Sequence, residues 1–546
     1  MLGGANRMPN SDRKFRRRST SIAQDINSAG SSAETLQLDF DTRRDMRLDI
    51  LHQEHREQAA EEGQYQNSND RRQSTVLSPT SAQPRPSLSM GAKGGSDWIT
   101  DRFLRRGKRQ IGVLESLKAI ATSSWLNLFF IFIPISWAFH FTIAEHHNQE
   151  GHEEAWRSSA TFALCLMALV PLERALEYGG DQMSLYCGKE LGDLIIVTLN
   201  NTVEATLAII LLVNCELRLL QSTIIGVILL HLLLVPGIAF IIGGAKLIYQ
   251  SLNPHSAQLN HSLLLMGVLT LLLPTALFTT IQNNALFPNN PESASTSLDI
   301  DSTRSTILKI SHGFAIILLV VYVYSRVFLY DPPGSNNAFR ALPDAPTALL
   351  EEERKMLHEE PEVNQYVCIA YLLAIIALMA PTAQWLVDSV EIVRSDSHIA
   401  QEWFGLILLP LSSFAADAIL AIGKFIRTTA RFFLGWKAPP ARVAKARSID
   451  VSIQFNLFWL PLIILLGWWT ERPFTLLFDI FEVSILIGAC FLVNFVTADA
   501  KTNWAEGATM VIFYVMIALT AWFYQGNKSV NELLNAGKCL GEIDTT

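Results

Sequence analysis

GDLIIVTLNNTVEATLAIILLV, residues 192–213, is a largely apolar run with Asp193 at its start and a second carboxylate, Glu204, in its middle. About 20 predominantly apolar residues are what an α-helix needs to cross a hydrocarbon core. A carboxylate at that depth costs several kcal/mol unless it is paired, protonated or bound to a cation. Asn200, Asn201, Thr202 and Thr206 surround it. Asn201 and Glu204 are three residues apart and share a helix face, which suits oxygen ligation of a hard cation. The competing reading is a protonated Glu204 inside a hydrogen-bond network between packed helices.

Working outward, comparable windows recur along most of the chain, at about 123–143, 159–176, 189–213, 219–243, 262–284, 309–330, 366–388, 402–422, 450–469, 477–496 and 507–525. Continuous runs of this length predict an all-α multi-pass membrane protein with about eleven spans; a β-barrel would need short alternating segments. The largest interruption, 331–365, divides the ten later spans into two sets of five, 159–330 and 366–525. That layout is the one expected of an internally duplicated transporter.

The second set offers a partial counterpart to the opening stretch, WFGLILLPLSSFAADAILAIG at 403–423. Pro410 is expected to interrupt this helix, with Ser412, Ser413 and the buried carboxylate Asp417 beyond it. Broken helices at mid-membrane depth expose backbone groups that coordinate ions. Two carboxylates from two half-repeats can hold a divalent cation or protons in turn, which is the physical basis of exchange. Span four contains His231, read either as a proton-responsive residue or as a packing histidine. Span nine opens with Asp450, Ser452, Gln454 and Asn456, which either line a path or join helices; Glu482 and Asn494 in span ten are weaker candidates.

Charge sets the expected orientation. Arg105 to Arg109 carry a basic run before span one, and 424–449 holds seven basic residues and no acidic one. By the positive-inside rule both lie in the cytosol, which puts the N-terminus there and the C-terminus on the lumenal or outer side. The expected layout is a disordered cytosolic tail (1–95), a lead-in with the first span (96–158), one five-helix set (159–330), an acidic cytosolic linker (331–365), the second set (366–525) and a short lumenal tail (526–546). The linker clusters Glu351, Glu352, Glu353, Glu359, Glu360 and Glu362.

Composition excludes other classes. Residues 1–100 hold 14 Lys+Arg and 13 Asp+Glu, while the remaining 446 hold only 29 and 38, so a polar tail precedes a very apolar body. Mean hydropathy is positive at +0.24, and 17% of the 546 residues are charged against roughly 25% in soluble chains. The tail is too poor in apolar residues to fold alone. The mild acidity gives no nucleic-acid signature. Six dispersed cysteines without a CxxC indicate neither a disulfide framework nor a zinc ribbon. No phosphate-binding loop, HExxH or GxSxG is present, so nothing points to ATP hydrolysis or covalent chemistry. The expected partners are inorganic cations, protons and the lipid bilayer; no cofactor is expected, and the oligomeric state, a homo-oligomer included, is left open.

Several stretches carry a family resemblance over about 104–525. They are PLERALEYGGDQMSLYCGKELGDLIIVTLNNTVEATLAI (171–209), AQLNHSLLLMGVLTLLLP (257–274), LVDSVE (386–391), FGLILLP (404–410) and NFVTADAKTNWAEG (494–507). In their order and spacing the chain resembles the vacuolar cation/proton exchangers, the calcium/proton antiporter branch of the calcium/cation antiporter superfamily, as a divergent and fungal member. The resemblance implies one extra helix followed by two inverted five-helix repeats. It also implies export of cytosolic Ca2+ into the vacuole against H+, and a vacuolar membrane location. Its ion site would rest on two GNxxE motifs. Asn201 and Glu204 match the first, with Asn200 in place of the glycine. In the second, Ser413 replaces the glycine, Phe414 the asparagine and Asp417 the glutamate, and Ala418 stands where a histidine is usual. Gln454 is retained on the supporting helices. Val227 and His231 stand where serine and asparagine are expected, and Asp450 and Val451 where glycine and serine are. A lost oxygen ligand beside a retained carboxylate leaves three readings: calcium/proton exchange, exchange of a monovalent cation or manganese, or a nontransporting regulator or scaffold.

Overall fold

Three prolines govern how the helices nearest the centre run. In the computed structural model, which describes residues 103–104, 110–144, 151–187, 189–244, 250–251, 254–286, 300–330, 359–397, 399–433, 447–499, 501–526 and 530, the chain is helical wherever hydropathy is high. The helices are α1 Val113–Thr122, α2 Phe132–Ala144, α3 Gly151–Cys187, α4 Lys189–Asn200, α5 Thr202–Val213, α6 Leu217–Leu229, α7 Val235–Gly244, α8 Pro254–Leu286, α9 Ile300–Tyr330, α10 Gln365–Ser397, α11 Gln401–Trp403, α12 Leu409–Phe433, α13 Arg447–Gln454, α14 Leu460–Trp469, α15 Ile480–Val496 and α16 Trp504–Trp522. A two-residue antiparallel pairing, β1 Gln250–Ser251 with β2 Lys501–Thr502, ties two connections together.

Three π turns join helices end to end: Leu230–Leu234 between α6 and α7, Phe404–Leu408 between α11 and α12, and Phe455–Trp459 between α13 and α14. Each ends two residues before a proline, Pro236, Pro410 or Pro461. Proline has no N–H and its ring collides with the carbonyl four residues earlier. Widening the turn that contains that carbonyl removes the collision without ending the helix. The expected break at Pro410 is therefore corrected: the chain passes through a π turn and continues as helix.

Among the described residues, seven helices are long and apolar enough to cross a membrane, or up to nine when two bent pairs each count as one. The protein is thus an all-α multi-pass membrane protein with seven to nine such helices. Two of the eleven expected windows differ for visible reasons. Helix α15 is 17 residues long, and the side chains of α12 from Asp417 onward are only partly described. The bent pairs are α1 with the segment Trp125–Phe141, at 91°, and α4 with α5, at 48°. The tail 1–95, most of the linker including Glu351, Glu352 and Glu353, and nearly all of 526–546 lie outside the described residues.

Burial sorts the helices. The most apolar windows of Leu217–Gly244 and Ser448–Trp469 are both 72% buried, against 28% for Trp504–Trp522. The first two form the centre. On α9, Ile316, Val320, Val323 and Val327 stay exposed along one side, which is lipid-facing in an apolar helix of this length. At the centre α6 crosses the Phe404–Leu408 turn at contact distance. A Cβ on Gly226 would run into the Leu406 carbonyl oxygen and the Pro410 ring, and one on Gly405 would sit 2.8 Å from Ser222 Cβ. Leu406 is the residue whose carbonyl loses its helical partner to Pro410, so the freed oxygen lies over a glycine. Backbone and proline ring cannot yield as a flexible side chain can. We expect Gly226→Ala to destabilise the protein by about 1–3 kcal/mol, read as a lowered melting temperature in detergent, with Gly313→Ala, whose Cβ would meet nothing, as the silent control.

One end of the bundle is closed by a buried charged cluster. Arg218 on α6 pairs with Asp479 at 3.2 Å and Glu402 on α11 at 3.4 Å, and all three side chains are at most 8% exposed. Asp479 caps α15, accepting from Phe481 N and from the Tyr524 hydroxyl at 2.6 Å. One turn on, Ser222 donates to Glu482 at 2.6 Å. Nearby, Cys215 is disulfide-bonded; Cys165, Cys187, Cys368 and Cys490 are free. One disulfide is not the framework that the dispersed cysteines argue against, and spacing alone does not show which cysteines the fold brings together.

Candidate functional site

The α4–α5 bend falls on Asn201, whose backbone (φ −90°, ψ 0°) leaves the helical region between the two helices. Its side chain is fully buried. Asn201 Nδ2 donates to Gln454 Oε1 at 2.8 Å, to the Val451 carbonyl at 3.1 Å and to the Val197 carbonyl at 3.3 Å. Gln454 Nε2 in turn donates to Thr198 Oγ1 and to Tyr322 Oη, each at 2.8 Å. The network thus joins α4, α9 and α13 at the bend. Asn201 Oδ1 is buried without a hydrogen-bond partner.

Glu204 lies in the first turn of α5 and is 2% exposed. Its Oε1 is 3.3 Å from His231 Nε2, and its Oε2 has no partner. His231 is held inside the first π turn, and its Nδ1 is likewise unpartnered. One turn of chain therefore presents two buried acceptor oxygens, one from an amide and one from a carboxylate, that no protein donor satisfies. Buried oxygens of this kind are normally hydrogen-bonded; a cation is the other group that completes them.

The remaining expected residues divide. Asn201 and Gln454 come together directly, as do Glu204 and His231. Ser413 is buried in α12 with its hydroxyl unpartnered, and Phe414 beside it packs into the core. Asp417 belongs to α12, but its side chain lies outside the described residues. Asp450 accepts from Asn260 Nδ2 on α8 at 2.5 Å. Asn456, in the third π turn, is fully buried with neither amide atom bonded. Of the acidic linker residues, Glu359, Glu360 and Glu362 are exposed, and the Glu362 backbone N–H donates to Gln182 Oε1. Among the described residues no three His, Cys, Asp or Glu side chains gather as a metal cluster.

Two members of the network were not legible beforehand. Tyr322 sits in an apolar helix where a tyrosine reads as an interfacial residue, and Thr198 bonds the Leu194 carbonyl as threonines in helices commonly do. Only the tertiary approach of α9 and α4 to Gln454 reveals them.

The chain is 29% identical over 486 residues to a vacuolar calcium ion transporter of Cryptococcus neoformans var. grubii, covering 77% of each chain. It is 28% identical to the vacuolar calcium ion transporter of Schizosaccharomyces pombe, over 79% of this chain and 92% of that one. Among solved structures, native YfkE superposes with a TM-score of 0.52 at 20% identity, covering 72% of this chain and all of the other, which shows a shared fold. The profile described as sodium/calcium exchanger protein matches residues 157–330 and 367–523, the two halves on either side of the linker. Matched across both halves, the chain belongs to the sodium/calcium exchanger protein family.

Proposed function

We infer that this protein is a secondary active antiporter that moves cytosolic Ca2+ into the vacuole in exchange for H+, and not an enzyme. The observation that carries the reading is the pair of buried, unpartnered oxygens, Asn201 Oδ1 and Glu204 Oε2, beside a bent helix pair in a membrane-embedded centre. A hard cation replaces its water with such oxygens, and the carboxylate supplies the charge that a divalent ion needs in a low-dielectric site. Exchange follows when the same carboxylate takes either the cation or a proton. Asp417 is the second carboxylate of this scheme, with Ser413, Gln454, His231 and Asp450 around the path.

The reading includes eleven spans, one extra helix before two inverted five-helix repeats, with the N-terminus cytosolic and the C-terminus lumenal. Two features support it. The π turns at 230–234 and 455–459 stand at equivalent places in the two halves, each followed by its proline. Cys215, in a connection this orientation puts in the lumen, is disulfide-bonded, and disulfides persist in oxidising compartments. The vacuolar location follows the fungal relatives, both named as vacuolar calcium ion transporters.

Purified protein in vesicles with an acidic interior is expected to take up Ca2+ and release protons. Uptake of Mn2+ or a monovalent ion in its place would reassign the cargo. No uptake of any cation in a panel would replace the antiporter by a nontransporting membrane protein.

A further inference from the structure

Gln454 is read as a ligand by position, yet its hydrogen bonds leave it little room to be one. Thr198 Oγ1 donates its single proton to the Leu194 carbonyl at 2.8 Å, so toward Gln454 it can only accept. With that proton on Leu194, the atom of Gln454 that meets Thr198 is Nε2, and Oε1 faces Asn201. Asn201 meets Oε1 and two backbone carbonyls, all acceptors, so the atom there must be Nδ2. An amide oxygen and nitrogen are usually distinguished only by such networks, and here the two backbone carbonyls at Asn201 fix the assignment. The outcome is that Asn201 turns its nitrogen to α13 and keeps Oδ1 free of protein donors.

Tyr322 holds the far end of this chain of bonds. Its Oη takes the second proton of Gln454 Nε2 at 2.8 Å. The ring is fixed in turn, with the Arg326 guanidinium 4.8 Å from its centroid and the Phe458 ring at 5.3 Å. Tyr322 is 5% exposed, so water does not readily replace the hydroxyl.

We propose that Tyr322 and Thr198 are positioning residues of the transport site: together they orient the Gln454 amide, which orients Asn201 so that its Oδ1 serves the cation. The proposal rests on the exchanger reading above and deepens it, because it makes Gln454 a support of the ligand in place of a ligand. Supporting residues of this kind commonly change metal affinity 10- to 100-fold when removed.

The test is a double-mutant cycle with two readouts, equilibrium binding of Ca2+ to purified protein in lipid nanodiscs and initial rates of Ca2+ uptake into vesicles. Tyr322→Phe is expected to weaken Ca2+ binding and raise the apparent KM by roughly 10-fold, with kcat within about twofold and the melting temperature unchanged. Thr198→Val, a shape-conserving change, should act in the same direction. In an Asn201→Ala background, Tyr322→Phe should add little, since the group it acts through is gone; effects at coupled residues are non-additive in this way. Equal losses from Tyr322→Phe in both backgrounds, or a fall in kcat and melting temperature with KM unchanged, would overturn the proposal while leaving the exchanger standing. A wild-type protein that neither binds nor carries any cation would overturn both.

Discussion

Glu204→Gln is expected to abolish cation exchange while leaving the fold intact. The substitution keeps the shape of the side chain and one oxygen for His231, which lies 3.3 Å from Glu204 Oε1, and it removes only the negative charge. A divalent cation drawn out of water into this centre needs that charge, and losing one partner of a buried ion pair costs about 3–5 kcal/mol. At about 1.4 kcal/mol for each factor of ten, turnover should fall by 100-fold or more. Uptake of Ca2+ into acid-interior vesicles measures it, and the elution profile and melting temperature should match the parent. Asp417→Asn should give the same loss if the second carboxylate shares the work. Unchanged turnover in both variants would reject the site.

The second large effect concerns stability. Among the described residues, Arg218 is the cation set among Glu402, Asp479 and Glu482 at one end of the bundle, and these side chains are 8% exposed or less. Arg218→Leu removes the guanidinium that these three carboxylates face, an expected loss of about 3–5 kcal/mol. Glu482→Gln takes away one of the surplus carboxylates, and Ser222 can still donate to the amide oxygen. That change should be neutral or stabilising. The opposite signs are the diagnostic, read as melting temperatures in detergent. A protein indifferent to Arg218→Leu would show that the cluster does not hold this end together.

What the sequence makes legible is the set of costly residues. Glu204 and His231 stand out because charge or an imidazole inside an apolar run is expensive, and Asn201 and Gln454 because amides there require partners. The structure joins these four in two direct contacts. The number of spans was less legible: among the described residues seven to nine helices pass as crossings, and α15, at 17 residues, falls just short in length. The arginine cluster was hidden for another reason. Glu402 and Glu482 both lie in first turns of helices, where acids are favoured by the helix dipole, so each had an ordinary local explanation. Only tertiary packing brings Arg218 to all three carboxylates. Tyr322 follows the same pattern, since nothing within α9 announces a partner on α13.

The π turns carry a consequence for comparing and editing such chains. Each is in effect one residue too many for the helix that contains it. A single-residue deletion inside 455–459 would restore regular winding and rotate everything before it by about 100° relative to α14, turning Gln454 away from Asn201. Alignments that treat this family's central helices as uniform will therefore misplace site residues by one position wherever a relative lacks the turn. The proline that follows each turn is the landmark by which to place the gap.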